Sequence, residues 1–192
     1  MRITKATLNR NWLWSSGLAL LTFAALAVLD YQLKALTAVD IADLSGFSGP
    51  VQFQAAFVVW RPESFAVRAG FILGLGYLLM PLYAASFFYS GIIAAEGLAP
   101  RPGTVRRIVM AAIWVPVIGA AANACENAIY LSMLLGGVDQ TLVTLAAAAD
   151  RVKTVALFIG LLLFLGAVMA HFQARRGTAR SADSKLGFGD KP

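Results

Sequence analysis

The sequence predicts an all-α polytopic membrane protein: a four-transmembrane-helix bundle with a short outer amphipathic helix between spans 1 and 2. Three observations predict it. Of the 192 residues 59% are apolar and only 14% are charged, with mean hydropathy +0.71, well above the apolar share of a soluble domain. Four segments are long enough to cross a hydrocarbon core, which takes roughly 20 largely apolar residues at about 1.5 Å rise each. Nothing shows the alternation of a barrel strand, and backbone groups in lipid must be satisfied within their own segment, so helices are the expected form.

Span 1 covers residues 12–30, with Trp12 and Trp14 as an interfacial belt and Asp30-Tyr31 closing it. A basic start, an apolar run and Ala25-Leu26-Ala27 also imitate a cleaved signal peptide, and cleavage there would leave three spans in the same orientation. The next 38 residues are too many for a bare loop. Within them Phe53, Ala56, Phe57 and Trp60 share one helical face, and Arg61-Pro62 stops the pattern. Such a helix lies on the outer leaflet or caps the bundle, or else acts as a lid over a site.

Span 2, residues 69–95, carries Gly70-x-x-x-Gly74, a spacing that lets another helix approach, and Pro81, which removes a backbone donor. Span 3, residues 108–135, has Pro116 and small residues from Gly119 to Ala122; span 4, residues 152–173, has a second small stretch from Gly166 to Ala170. Both prolines predict bends, and the small residues favour tight packing over a wide aqueous pore. One transmembrane domain thus fills residues 1–175. Residues 176–192, rich in Gly, Ser and charge, read as a disordered basic cytoplasmic tail.

The net charge of +6 is distributed by side rather than by patch. Eleven basic residues flank the ends of the spans on the side of both termini, against Lys34, Arg61, Arg68, Arg151 and Lys153 on the other. The positive-inside rule then puts both termini in the cytoplasm of a bacterial-type cytoplasmic (inner) membrane. Nucleic acid is not needed to explain the charge; the expected partners are the lipid bilayer and a membrane-protein partner or a second copy of the chain. Cys125 is the only cysteine and His171 the only histidine, so no disulfide, metal cluster or cofactor is expected.

The candidate site is a polar stripe in span 3. Asn123, Glu126, Asn127 and Tyr130 fall at offsets of 3, 4 and 7, along one side of the helix. A carboxylate in a span is disfavoured by roughly 2.5 to 3.5 kcal/mol and usually faces a partner inside the protein. Counted from the cytoplasmic end of each span, Glu126 is 19 residues from Arg107, Lys153 18 from His171, Asp30 18 from Trp12 and Tyr77 19 from Glu96. At the helical rise these four lie in one layer, roughly 27 to 29 Å up. Glu126 is expected to pair with Lys153, with Asn123 and Asn127 adding hydrogen bonds and Asp30 or Tyr77 nearby. Three readings remain open: a clasp that holds helix register, a polar pocket that takes a proton or a headgroup, and the plain interface with water.

Pro81-Leu82-Tyr83 in span 2, Asn123-Ala124-Cys125-Glu126-Asn127 in span 3 and Arg151-Val152-Lys153 opening span 4 together carry a resemblance. The chain resembles a scattered set of uncharacterised bacterial four-helix integral membrane proteins, over roughly residues 10 to 175. These have acid-x-x-Glu-Asn in the third span, an acid shortly before Pro-x-Tyr in the second and a lysine opening the fourth. Here Asn123 and Gly76 stand where the acids would be, so the resemblance implies roles for Glu126, Asn127 and Lys153 but an incomplete proton or ion path.

The reading for function is a non-enzymatic membrane protein, either an accessory subunit or a small lipid- or solute-binding bundle with a polar layer around Glu126. A small proton- or ion-coupled transporter using Glu126 and Lys153 is the alternative. A lipid-modifying enzyme comes third, because no nucleophile and base are recognisable in the sequence.

Overall fold

The computed structural model describes residues 4–97 and 103–186, and every regular element within them is a helix. In chain order these are α1 (Lys5–Thr37), α2 (Ile41–Leu44), α3 (Pro50–Trp60), α4 (Glu63–Gly97), α5 (Gly103–Ala112), α6 (Val115–Gly136) and α7 (Gln140–Leu186). Four are long and apolar enough to cross a membrane: α1, α4, α5 and α6 taken together, and α7. The chain is a multi-pass membrane protein with an all-α fold.

The helices outrun the apolar segments because their ends are capped. Thr4 Oγ1 accepts the Thr7 N–H at 3.3 Å and starts α1 well before Trp12. At the other end Ala38, at φ 63°, returns its N–H to the Lys34 carbonyl at 2.7 Å and turns the chain toward α2. The helix α7 continues to Leu186, beyond residue 175, after which a disordered tail was expected. That stretch has no proline before Pro192, and Ala179, Ala182, Arg180 and Lys185 favour a helix against Gly177, Thr178, Ser181 and Ser184. Residues 187–192 lie outside the described residues.

The prolines act differently. Pro116 cannot return a hydrogen bond to Ala112, and the third span breaks at Ile113-Trp114, with α6 restarting on Trp114. Pro81 is carried inside α4, which is continuous from Glu63 to Gly97.

The bundle is organised around α4, which packs against α1, α6 and α7. Residues 137–139 join α6 to α7 so tightly that the two are antiparallel neighbours, with Asp139 Oδ1 capping α7 through the Leu142 N–H at 2.9 Å. The α1 helix makes its main contact with α4 and is tied to it by side chains. Trp12 Nε1–H donates to Ser90 Oγ at 2.8 Å, and the Ser16 and Ser86 hydroxyls meet at 2.7 Å. Between apolar faces such bonds meet little competition from water.

Close approach comes from glycines other than the Gly70/Gly74 pair, both of which face open space. A Cβ on Gly119 would run into Ala156 of α7, and one on Gly160 into Phe87 of α4. Spacing alone cannot tell which face of a helix meets a neighbour.

The helix α3 forms where the amphipathic helix was expected, though both of its faces are largely apolar, with Pro50 at its first turn and Gln52 Oε1 accepting the Gly49 N–H at 3.3 Å. It caps one end of the bundle. Phe53, Ala56, Phe57 and Trp60 are all buried in a cluster with Leu33, Tyr130 and Met133, and the Phe53 and Tyr130 rings lie 5.9 Å apart. Trp60, 0% exposed, also donates from Nε1 to Thr37 Oγ1 at 3.2 Å. The opposite face of α3 carries Val51, Val58 and Val59 outward.

Candidate functional site

The polar stripe of α6 divides between two neighbours. Glu126 and Tyr130 face α7. Glu126 is 1% exposed; its Oε2 accepts a hydrogen bond from Lys153 Nζ at 2.6 Å and its Oε1 one from the Tyr130 hydroxyl at 2.8 Å. Lys153 Nζ also meets Asp150 Oδ1, one turn earlier on α7, at 2.8 Å. The short α6–α7 connection sets the two helices in register, and the spacings 126/130 and 150/153 complete the group on each side. With a bond on each oxygen and the residue shut off from the surface, Glu126 and its partners form a closed clasp.

Asn123 and Asn127 face α4 instead. Asn127 Nδ2 donates to the Leu73 carbonyl at 3.1 Å. Gly76 makes that possible, because a Cβ there would stand 2.6 Å from the same nitrogen. Tyr77, 40% exposed, donates from its hydroxyl to the Ala124 carbonyl at 3.1 Å. Asn123 is the hydrogen-bonding side chain set against the buried Tyr83 hydroxyl.

Asp30 stands apart from Glu126. Its Oδ1 accepts the Ile41 N–H at 2.7 Å and its Oδ2 the Ala42 N–H at 3.3 Å, holding the first turn of α2. Lys34, one turn further along α1, turns away to Asp40 at 3.2 Å and Asp43 at 2.9 Å. Outside the spans, the Lys34 hydrogen bond holds the Asp43 carboxyl below the usual carboxylate range.

Asp30, Gly76, Asn123 and Asn127 border a cleft of about 430 Å³ between α1, α4 and α6, with α2 at its mouth. Phe23 and Leu26 from α1 and Ile72, Leu73 and Leu79 from α4 form its walls, while Asp30, Asp40, Asn123 and Asn127 supply polar atoms. The size falls within the range of roughly 300 to 1,000 Å³ typical of small-molecule sites, as does the mix of apolar wall and few polar groups. No family model, curated protein or solved structure matches the chain.

Of the seven expected polar residues, the structure joins Glu126, Lys153 and Tyr130 in the clasp and puts Asp30, Asn123 and Asn127 along the cleft. Tyr77 touches α6 but neither carboxylate. The single layer separates because equal height on four helices says nothing of the direction each side chain takes. Asp150, Asp40, Tyr83 and the room left by Gly76 were not foreseen. The i,i+3 spacing of Asp150 and Lys153 was a signal for the first. No metal-binding group of three or more His, Cys, Asp or Glu side chains occurs among the described residues.

Proposed function

We propose that the chain is a non-enzymatic membrane protein that holds an amphiphile from the bilayer in the α1–α4–α6 cleft. The observation that carries the reading is the cleft itself, with apolar walls from two spans and a polar edge of Asp30, Asn123 and Asn127. An amphiphile supplies both halves of the match, its chain along Phe23 and Leu26 and its polar group at the edge. Glu126 supports the transport alternative less, since it is sealed at 1% exposure with both oxygens engaged. We further propose that both termini face the cytoplasm of a bacterial-type inner membrane, the cleft then lying toward the outer leaflet.

The full-length protein, purified in a mild detergent, is expected to retain lipid in a native mass spectrum. Ala27→Trp, which fills the cleft from the α1 side, should strip that lipid while circular dichroism stays unchanged. Retention equal to wild type in the filled variant would overturn the reading. Reporter fusions at each terminus test the orientation, and a periplasmic signal from either one would reverse it.

A further inference from the structure

Asp30 is the one carboxylate lining the cleft that has no cation against it among the described residues. Its oxygens accept two neutral backbone N–H groups, at 2.7 and 3.3 Å. Asp40, the other acid at the mouth, already has Lys34 at 3.2 Å, and that lysine also serves Asp43 at 2.9 Å. Lys153 of α7 is committed to Glu126 and Asp150. Around α2, Asp30, Asp40 and Asp43 thus stand with the single ammonium of Lys34 among the ion pairs of the described residues. A carboxylate accepts at about four lone-pair positions, so Asp30 keeps acceptor capacity after its two bonds to α2. Beside an apolar wall, an unpaired charge is unfavourable until a counter-charge arrives.

A second polar group stands in the same cleft. The Asn123 amide lines the cleft and, among the described residues, makes no hydrogen bond except with the neighbouring Tyr83 hydroxyl. A side-chain amide has two donor and two acceptor positions, so Asn123 keeps hydrogen-bonding capacity for a polar guest.

Resting on the reading of the cleft as an amphiphile site, we propose that its occupant is a membrane lipid with an amine-bearing headgroup, the amine set against Asp30. Asn123 offers its amide to the headgroup's oxygen atoms, and the upper part of a chain lies along Phe23, Leu26 and Leu79. The Lys34 side chain is held on Asp40 and Asp43 and so leaves Asp30 to a cation from outside the described residues. An anionic lipid without an amine would bring a phosphate toward Asp30 with no ammonium of its own to offset the repulsion.

The test is native mass spectrometry of the full chain with equimolar phosphatidylethanolamine and phosphatidylglycerol of identical chains. Wild type is expected to retain the ethanolamine lipid about tenfold over the glycerol lipid, the factor that one charge-assisted hydrogen bond supplies. Asp30→Asn should bring the two to parity. Because that change also touches the cap of α2, the wild-type ratio alone decides the matter if the variant does not fold. Equal retention of the two lipids by wild type overturns the amine assignment and leaves the cleft reading standing. No retention of either overturns both. Soluble ethanolamine at the same concentration should not displace the lipid, and if it does, the chain is not part of the recognition.

Discussion

Lys153→Met should destabilise the bundle more than Glu126→Gln, although both break the same ion pair. Losing the lysine leaves Glu126, 1% exposed, with a single hydrogen bond from Tyr130. Stripping one partner from a buried pair costs about 3 to 5 kcal/mol. Losing the carboxylate is milder, about 1 to 3 kcal/mol, because the replacing amide still accepts a hydrogen bond. Lys153 then also keeps Asp150 at 2.8 Å, and its side chain is 19% exposed. The double variant removes both charges, so its loss should fall short of the sum by about 0.5 to 3 kcal/mol. Equilibrium unfolding in mixed micelles, followed by helicity as a denaturing detergent is raised, gives all four free energies. Additivity to within about 0.5 kcal/mol would refute the clasp. So would a larger loss for Glu126→Gln than for Lys153→Met.

The remaining expectations concern α3, Gly76 and the Lys34 cluster. Trp60→Ala should cost about 3 to 5 kcal/mol and expose α3 to protease, since the indole is 0% exposed and bonded to Thr37; a protected α3 would disprove the cap. Gly76→Ala should push the Asn127 amide off the Leu73 carbonyl, at about 1 to 3 kcal/mol, whereas Gly74→Ala, facing open space, should be neutral or slightly stabilising in the same unfolding assay. Lys34 holds the folded Asp43 carboxyl below its ordinary value of 3.8. Its contribution to stability is therefore complete above about pH 4 and lost as the pH falls through the lower folded value. Asp43→Asn should flatten that acid limb, and an unchanged limb would mean the pair contributes nothing.

Some features were legible from one dimension because they depend on local transfer free energy. The four apolar segments, the face of α3 made by Phe53, Ala56, Phe57 and Trp60, and the need of Glu126 for a partner all follow from residue type and helical period. The Glu126–Lys153 contact was also within reach, because three residues between α6 and α7 force the helices together and depth can be counted along each. Helix ends were not, since Thr4 and Ala38 act through hydrogen bonds that hydropathy does not record.

By itself the sequence determined that the chain lives in lipid, how many helices cross it, and that span 3 carries a polar stripe needing company. The tertiary structure alone decided how that stripe divides, with Glu126 and Tyr130 closed against α7 and Asn123 and Asn127 turned to α4 and the cleft. It alone turned Lys34 from Asp30, one turn away, to Asp40 and Asp43, and brought Gly119 rather than Gly70 against a neighbour. The physical reason is that hydropathy and period set how deep a residue lies and on which face of its own helix. The rotation of each helix about its axis, chosen by the packing of all four together, sets what that face meets.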